Sequence, residues 1–144
     1  MKNKVFVVVV LLAVLLFSAC SSSSGVLTVQ DAWARPAVVG ENAAAYFTIE
    51  NGTGSNDSLL SISSDIAAAA ELHMSMTHDN GVMSMEMQDA VQIPARDQVE
   101  FKPGGLHVML VDINRDLSIG DTISLTLHFQ MAGDVTIDVS VQEP

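Results

Sequence analysis

From residue 26 onward, apolar and polar residues alternate in short runs that are separated by Gly, Asn, Asp and Pro. This period of two is typical of half-buried β-strands, whereas an amphipathic helix repeats every 3.6 residues. An alanine-rich stretch at residues 66–71 could hold one helical turn but is too short to nucleate a helix alone. The pattern predicts nine strands, at Leu27–Ala34, Ala44–Glu50, Ser58–Ser63, Ala70–Met74, Val82–Met87, Gln98–Phe101, Leu106–Val111, Thr122–Phe129 and Val135–Val141.

Turn-forming residues stand between the predicted strands, as a chain of hairpins requires. Pairs such as Asn51-Gly52, Asn80-Gly81 and Gly104-Gly105 fall in the gaps. Many short strands separated by turns are typical of an antiparallel β-sandwich or barrel. The sequence contains no internal repeat, no second domain and no glycine-rich phosphate loop, so we predict one all-β domain over residues 26–144.

The first 19 residues have the composition of an export signal. Lys2 and Lys4 precede an unbroken apolar run at residues 5–17, and the small residues Ser18 and Ala19 follow it. This run of 13 residues is too short to cross a bilayer as a helix, which needs about 20 residues. The order basic, apolar, small is that of a secretory signal. We therefore predict that residues 1–19 are a signal peptide.

Residues 16–20 resemble a bacterial lipobox, in which the final cysteine is lipidated and becomes the new N-terminus. Phe17 departs from the leucine usual at its position, and cleavage near Ala19 with an unmodified Cys20 is the alternative. Cys20 is the only cysteine, so no internal disulfide can form, and a free thiol would be a liability in an oxidising compartment. We expect a lipid on Cys20, a flexible tether at residues 20–25, and export to the periplasm or the outer face of the cell envelope, with a membrane as partner.

The charge of the chain excludes a nucleic-acid-binding protein. Residues 20–144 keep all 17 acidic residues and only four of the six basic ones, a net charge of −13. Recognition of a polyphosphate needs a basic face. The four remaining basic residues are too few and too scattered to form one; they are Arg35, Arg96, Lys102 and Arg115.

Sulfur and imidazole side chains cluster in one part of the sequence. Five of the eight methionines fall within fourteen residues, beside two of the four histidines, and a smaller group follows. The first group is His73, Met74, Met76, His78, Met83, Met85 and Met87, and the second is His107 with Met109.

Side chains that alternate between the two faces of a strand place His107 and Met109 on a different face from their sequence neighbours. Residues two apart share a face of a strand, so His107 and Met109 lie on one face and Val108 and Leu110 on the other. The aliphatic face is the natural core face. We therefore expect His107 and Met109 to project away from the core, where a ligand can reach them.

The methionines at alternate positions 83, 85 and 87 allow a structural interpretation. Methionine fills gaps in hydrophobic cores, and this spacing is also that of a buried strand face. We interpret Met83 and Met87 as packing residues. Met85 differs because it stands at a particular distance from the histidines. Whether Met74, Met76 or His78 assists in loading a metal remains open.

The spacing forms an array: His73-Met74, ten residues, Met85, twenty-one residues, His107, one residue, Met109. Composition alone would produce the three later positions after a given histidine with a chance of about one in ten thousand. The array resembles the signature of the periplasmic copper(I) chaperone family often called PCu(A)C. The similarity extends over residues 26–142 and includes the segments 31–36, 45–51, 103–110 and 120–127.

This resemblance implies a cupredoxin-like antiparallel β-sandwich with Greek-key connections. It also implies one Cu(I) per monomer, held by His73, Met85, His107 and Met109. Thioether and imidazole are soft to borderline donors that suit Cu(I), and the set lacks the cysteine of a blue-copper centre and the thiolates of a structural zinc site. The family implies a metallochaperone, not an enzyme, that delivers copper to the dinuclear copper centre of cytochrome c oxidase.

Two other interpretations use the same sequence. An envelope protein that sequesters copper, without a dedicated acceptor, would need the same four ligands. A structural adhesion sandwich without metal would make the array accidental. No catalytic residue is predicted, because the acidic residues and Ser/His/Asp combinations have no motif support.

Overall fold

A computed structural model describes residues 25–143, which form ten β-strands and no helix. The predicted signal peptide and Cys20 lie outside the described residues. No helix that could cross a membrane occurs within residues 25–143. The strands are β1 (Leu27–Ala34), β2 (Ala43–Asn51), β3 (Asp57–Ser63), β4 (Ala67–Thr77), β5 (Met83–Met87), β6 (Val91–Ile93), β7 (Asp97–Phe101), β8 (Leu106–Ile113), β9 (Thr122–Phe129) and β10 (Gly133–Val141).

The nine predicted strands are all present, with two differences. The alanine run is not a helical turn but the first part of β4, where Ala67 pairs with Ile113 and Ala70 with Leu110 of β8. Pairing with a central strand overrides the helix propensity of alanine here. The short strand β6 was not predicted, because only its two buried residues, Val91 and Ile93, alternate with a polar one.

The strands form one hydrogen-bonded path in the order β5-β4-β8-β2-β1-β10-β9-β3-β6, and β7 pairs with the second half of β2. All strand pairs are antiparallel except β1 with β10, which are parallel. A bulge between Gln30 and Trp33 interrupts the β1–β2 register, and bulges bend a strand. The fold is the predicted cupredoxin-like β-sandwich.

The core lies between the inner faces of the strands. Its fully buried side chains come from strands far apart in sequence and include Phe47, Leu59, Val108 and Leu125. Phe47 of β2 stacks on Phe101 of β7 with ring centroids 4.5 Å apart. Burying each such side chain contributes about 1.5–3 kcal/mol. The strands that carry the methionines and histidines are therefore anchored on one side by this core.

One buried polar side chain ties together the loops at the Asn51 end of β2. Asn51 is fully buried, and its amide group donates to the carbonyls of Ser55 and Ile93 at 2.9 and 3.1 Å. Its amide oxygen accepts hydrogen bonds from the backbone and hydroxyl of Thr53. Every polar atom of this side chain is therefore paired, as burial requires.

Candidate metal centre

The strands β5, β4 and β8 are consecutive at one edge of the sheet, and their register brings the sulfur and imidazole side chains together. His73 of β4 pairs with His107 of β8 and with Met87 of β5. Two residues away along β4 in either direction, Ser75 pairs with Met85, and Glu71 with Met109. Directly paired residues in antiparallel strands share a face. The side chains of all four predicted ligands therefore start from the same face of the sheet.

The opposite face of β8 is the core face, as expected. Val108 and Leu110 are fully buried in the core, and Leu106 packs against it. His107 was expected to project away from the core, and it does lie on the other face of β8, but it is only 4% exposed. The reason is that β8 lies between β4 and β2 rather than at an edge, so side chains of neighbouring strands and the preceding loop surround it.

His107 nevertheless lines an open cavity on this face. Met109, Met83 and Met85 also border the cavity, and the buried Ser75 lies among them. His73 is not among the lining residues. The other lining residues come from β2, from the segment before it and from the β7–β8 loop: Arg35, Asn42, Ala43, Ala44, Tyr46, Pro103 and Gly104.

The methionines of β5 are exposed, and the interpretation of Met83 and Met87 as buried packing residues is wrong. Met83 is 63% exposed, Met85 58% and Met87 64%. Since β5 is the edge strand of the sheet and is only five residues long, little else covers its outer face. Sequence alternation alone cannot distinguish a buried face from an uncovered one.

His73 has one ring nitrogen paired and the other free of partners. Its Nε2 lies 2.9 Å from a carboxylate oxygen of Glu71. Because an ionised carboxylate only accepts hydrogen bonds, Nε2 carries the hydrogen and donates it. Nδ1 is buried and has no hydrogen-bond partner among the described residues. In this tautomer, Nδ1 holds the lone pair that could bind a metal.

His107 is oriented by a different contact. Its Nδ1 lies 3.0 Å from the carbonyl oxygen of Gly105. A carbonyl accepts only, so Nδ1 donates and the lone pair of the neutral ring lies on Nε2. Metal-binding histidines almost always hold their second nitrogen in this way. The two imidazoles therefore offer Nδ1 from His73 and Nε2 from His107.

Two neighbouring polar residues were missed by the sequence reasoning. Glu71 fixes the ring of His73, and the amide nitrogen of Asn42 lies 3.8 Å from the sulfur of Met109. The position of Glu71 two residues before His73 on the same strand face was a signal that could have found it. No sequence signal links Asn42 to Met109, because the two residues are 67 positions apart in the chain.

A chain of hydrogen bonds joins Ser, His and Asp on the β3–β9–β10 side of the fold. His128 contacts Asp134 at 2.8 Å through Nδ1 and Ser63 at 3.0 Å through Nε2. In hydrolase triads the carboxylate is buried, whereas the Asp134 side chain is 69% exposed. This network is a cross-strand surface contact. It does not change the prediction that the protein has no catalytic residue.

Comparison with curated proteins yields two relatives. The chain is 35% identical over 114 residues to the uncharacterised protein RP573 of Rickettsia prowazekii. The match covers 76% of this chain and 62% of that protein. It is 30% identical over 116 residues to the protein named "Putative lipoprotein Lxx21020" of Leifsonia xyli subsp. xyli. This second match covers 80% of this chain and 69% of that protein. The chain thus spans about two thirds of the length of these relatives.

Solved structures with the same fold are PCuAC domains. The copper-bound PCuAC domain of PmoF2 matches with a TM-score of 0.69 and 30% identity, over 85% of this chain and 97% of that one. The Cu(I) form of DR1885 from Deinococcus radiodurans matches with a TM-score of 0.64 and 28% identity, over 86% and 85%. The family described as "Putative lipoprotein LpqE-like" matches residues 27–141. This chain therefore belongs to the LpqE-like lipoprotein family and has the fold of the PCuAC domains.

Proposed function

We propose that the domain binds one Cu(I) per monomer and carries it as a metallochaperone. The ligands are Nδ1 of His73, Nε2 of His107 and the thioethers of Met85 and Met109. The observation that carries this proposal is the buried, unpartnered Nδ1 of His73 beside His107. A buried polar atom without a partner costs about 1–3 kcal/mol, and a bound metal ion would remove that cost.

The donor set favours Cu(I) over harder ions. Thioether sulfur and neutral imidazole are soft to borderline ligands, whereas Mg²⁺ and Ca²⁺ prefer carboxylate oxygen. Across the described residues, no three His, Cys, Asp or Glu side chains group in a geometry that could hold an ion. The copper-bound state of the PmoF2 and DR1885 domains supports the same ion for this chain.

The exposure of one ligand favours transfer over storage. Met85 is 58% exposed on the edge strand β5, while His107 is 4% exposed on β8, two strands away. A partner could replace the outer thioether first and then reach the ion, so copper need not enter solution as a free ion. A sequestering protein also needs access for uptake, but only transfer needs a ligand that a partner protein can replace in the loaded state. This favours the chaperone over the alternative of an envelope copper-sequestering protein.

The domain geometry also fits a membrane anchor on Cys20. The chain enters at Leu27, which pairs with Asn51 at one end of β2, whereas Met109 pairs with Ala44 near the other end. A strand rises about 3.3 Å per residue, so these ends are about 23 Å apart. An exported domain anchored through Cys20 would hold its copper centre on the side remote from the lipid.

The acceptor we propose is the dinuclear copper centre of cytochrome c oxidase.

Anaerobic transfer tests this function. The Cu(I)-loaded protein is mixed with the apo copper domain of a cytochrome oxidase, in the presence of a chelator that captures free Cu(I). After oxidation of the acceptor, its absorbance reports the filled centre. We expect filling despite the chelator, and none from a His107→Ala variant. Copper that reaches only the chelator would contradict delivery to this acceptor and favour sequestration.

A further inference from the structure

Met83 and Met87 of β5 have the same strand face and similar exposure, but they differ in their partners on β4 and in whether they line the cavity. Met83 and Met87 lie on the same strand and the same face, two residues on either side of Met85. Their exposed fractions are 63% and 64%. Met83 lines the cavity with Met85, His107 and Met109, whereas Met87 is not among its lining residues. The cavity therefore has a third thioether that the four-ligand set leaves unused.

The spacing allows Met83 and Met85 to reach the same ion. Residues two apart on a strand are separated by about 7 Å along its axis. Metal–sulfur bonds are short, about 2.3 Å in zinc–thiolate sites, and the methionine side chain has three rotatable bonds with which to adjust. Both side chains leave the same face and are largely uncovered. Their sulfurs can therefore converge on one ion without a change in the backbone.

Met83 lies farther from the histidines than Met85 does. In the β4–β5 register, Met87 is opposite His73, Met85 is opposite Ser75, and Met83 is opposite Thr77, the last residue of β4. This order runs from His73 toward the loop that joins β4 and β5. A partner that approaches from this loop would meet Met83 before it met Met85.

We propose that Met83 is a transfer ligand that binds Cu(I) only while the ion enters or leaves the centre. Its sulfur forms a bond to the ion as the bond from Met85 breaks, and a donor of the partner then replaces Met83. The ion stays Cu(I) throughout, and no proton moves because a thioether carries none. This inference rests on the proposed copper-binding function and adds a residue to it.

Stopped-flow transfer from the Cu(I)-loaded protein to a strong chelating acceptor, bathocuproine disulfonate, tests this role. Met83→Leu removes the donor with nearly the same volume, and Met87→Leu, which removes an equally exposed thioether that does not line the cavity, is the control. We expect Met83→Leu to slow transfer about tenfold, which corresponds to about 1.4 kcal/mol in the barrier. Its equilibrium affinity should equal that of Met87→Leu and the wild type.

Three outcomes separate this inference from the proposed function. Equal transfer rates for Met83→Leu and Met87→Leu would overturn the transfer role while leaving the four-ligand centre intact. A loss of affinity in Met83→Leu as large as that in Met85→Leu would make Met83 a resident ligand and also overturn it. Failure of the wild-type protein to bind Cu(I) at all would instead overturn the proposed function.

Discussion

His73 and His107 occupy directly paired positions on β4 and β8, and their ring centroids lie 5.8 Å apart. Each ring has one nitrogen held by a hydrogen bond, to Glu71 in one case and to the carbonyl of Gly105 in the other. The remaining nitrogens are set before any metal arrives. A slip of one residue in this register would place Leu72 or Val108 in the position of an imidazole. The β4–β8 pairing is thus the basis of the proposed centre.

The protein should bind one Cu(I) per monomer far more tightly than Zn(II). The reason is that thioethers are poor ligands for zinc, which prefers thiolate, imidazole and carboxylate. An anaerobic titration against a Cu(I) chelator measures the Cu(I) affinity, and its repetition with excess Zn(II) measures how strongly zinc competes. Equal competition by zinc would contradict the ligand set.

Met85→Leu should weaken Cu(I) binding strongly and leave the fold intact. A volume-conserving swap usually costs less than about 1.5 kcal/mol, and an exposed site should cost less than a buried one. Met87→Leu, on the same strand face and similarly exposed but outside the cavity, should keep wild-type affinity. Chelator titrations beside thermal melts check both. If Met83→Leu and Met87→Leu lower the affinity as much as Met85→Leu does, the site is a diffuse methionine patch.

Glu71→Ala should lower Cu(I) affinity although Glu71 does not touch the ion. Without the carboxylate, the ring of His73 can turn and carry its hydrogen on Nδ1. Losing an outer partner of a metal-binding histidine typically costs about 10–100-fold in affinity. Nitrogen-15 chemical shifts of the apo protein would report the tautomer directly. An unchanged tautomer and affinity in Glu71→Ala would show that Glu71 does not orient the ring.

Cu(I) affinity should decrease as the pH falls. An imidazole must be unprotonated to bind a metal, whereas a thioether does not titrate, so protons compete only with the two histidines. Chelator titrations at several pH values test this. A flat profile down to about pH 5 would mean that His73 and His107 are not ligands.

Asn51→Ala should destabilise the domain without changing its copper affinity. The substitution removes the side-chain donor to the buried carbonyl of Ile93, and a buried group left unpaired costs about 1–3 kcal/mol. Asn56→Ala, an exposed residue whose side chain accepts one hydrogen bond from Ala95, is the control and should cost less. Urea unfolding gives both values. Reduced copper affinity in folded Asn51→Ala would contradict the separation of the two ends of β2.

Much of the fold could be predicted because the alternation of apolar and polar residues is a local property. Runs such as Leu106–Val111 and Thr122–Phe129 carry that signal in their own residues, and the strand containing each is present. β6 is too short to show a period. The alanines at the start of β4 have a helix propensity that only pairing with β8 overrides.

The sequence by itself limited the candidate metal ligands to a few methionines and histidines, and the resemblance of their spacing to the PCu(A)C signature implied the four-ligand set. It also placed His107 and Met109 on one face of β8. Only the tertiary structure decided that His107 is buried, that the β5 methionines are exposed, and which nitrogen of each imidazole carries the lone pair. The physical reason is that burial depends on what the other strands cover. An edge strand and a central strand can have the same alternating pattern.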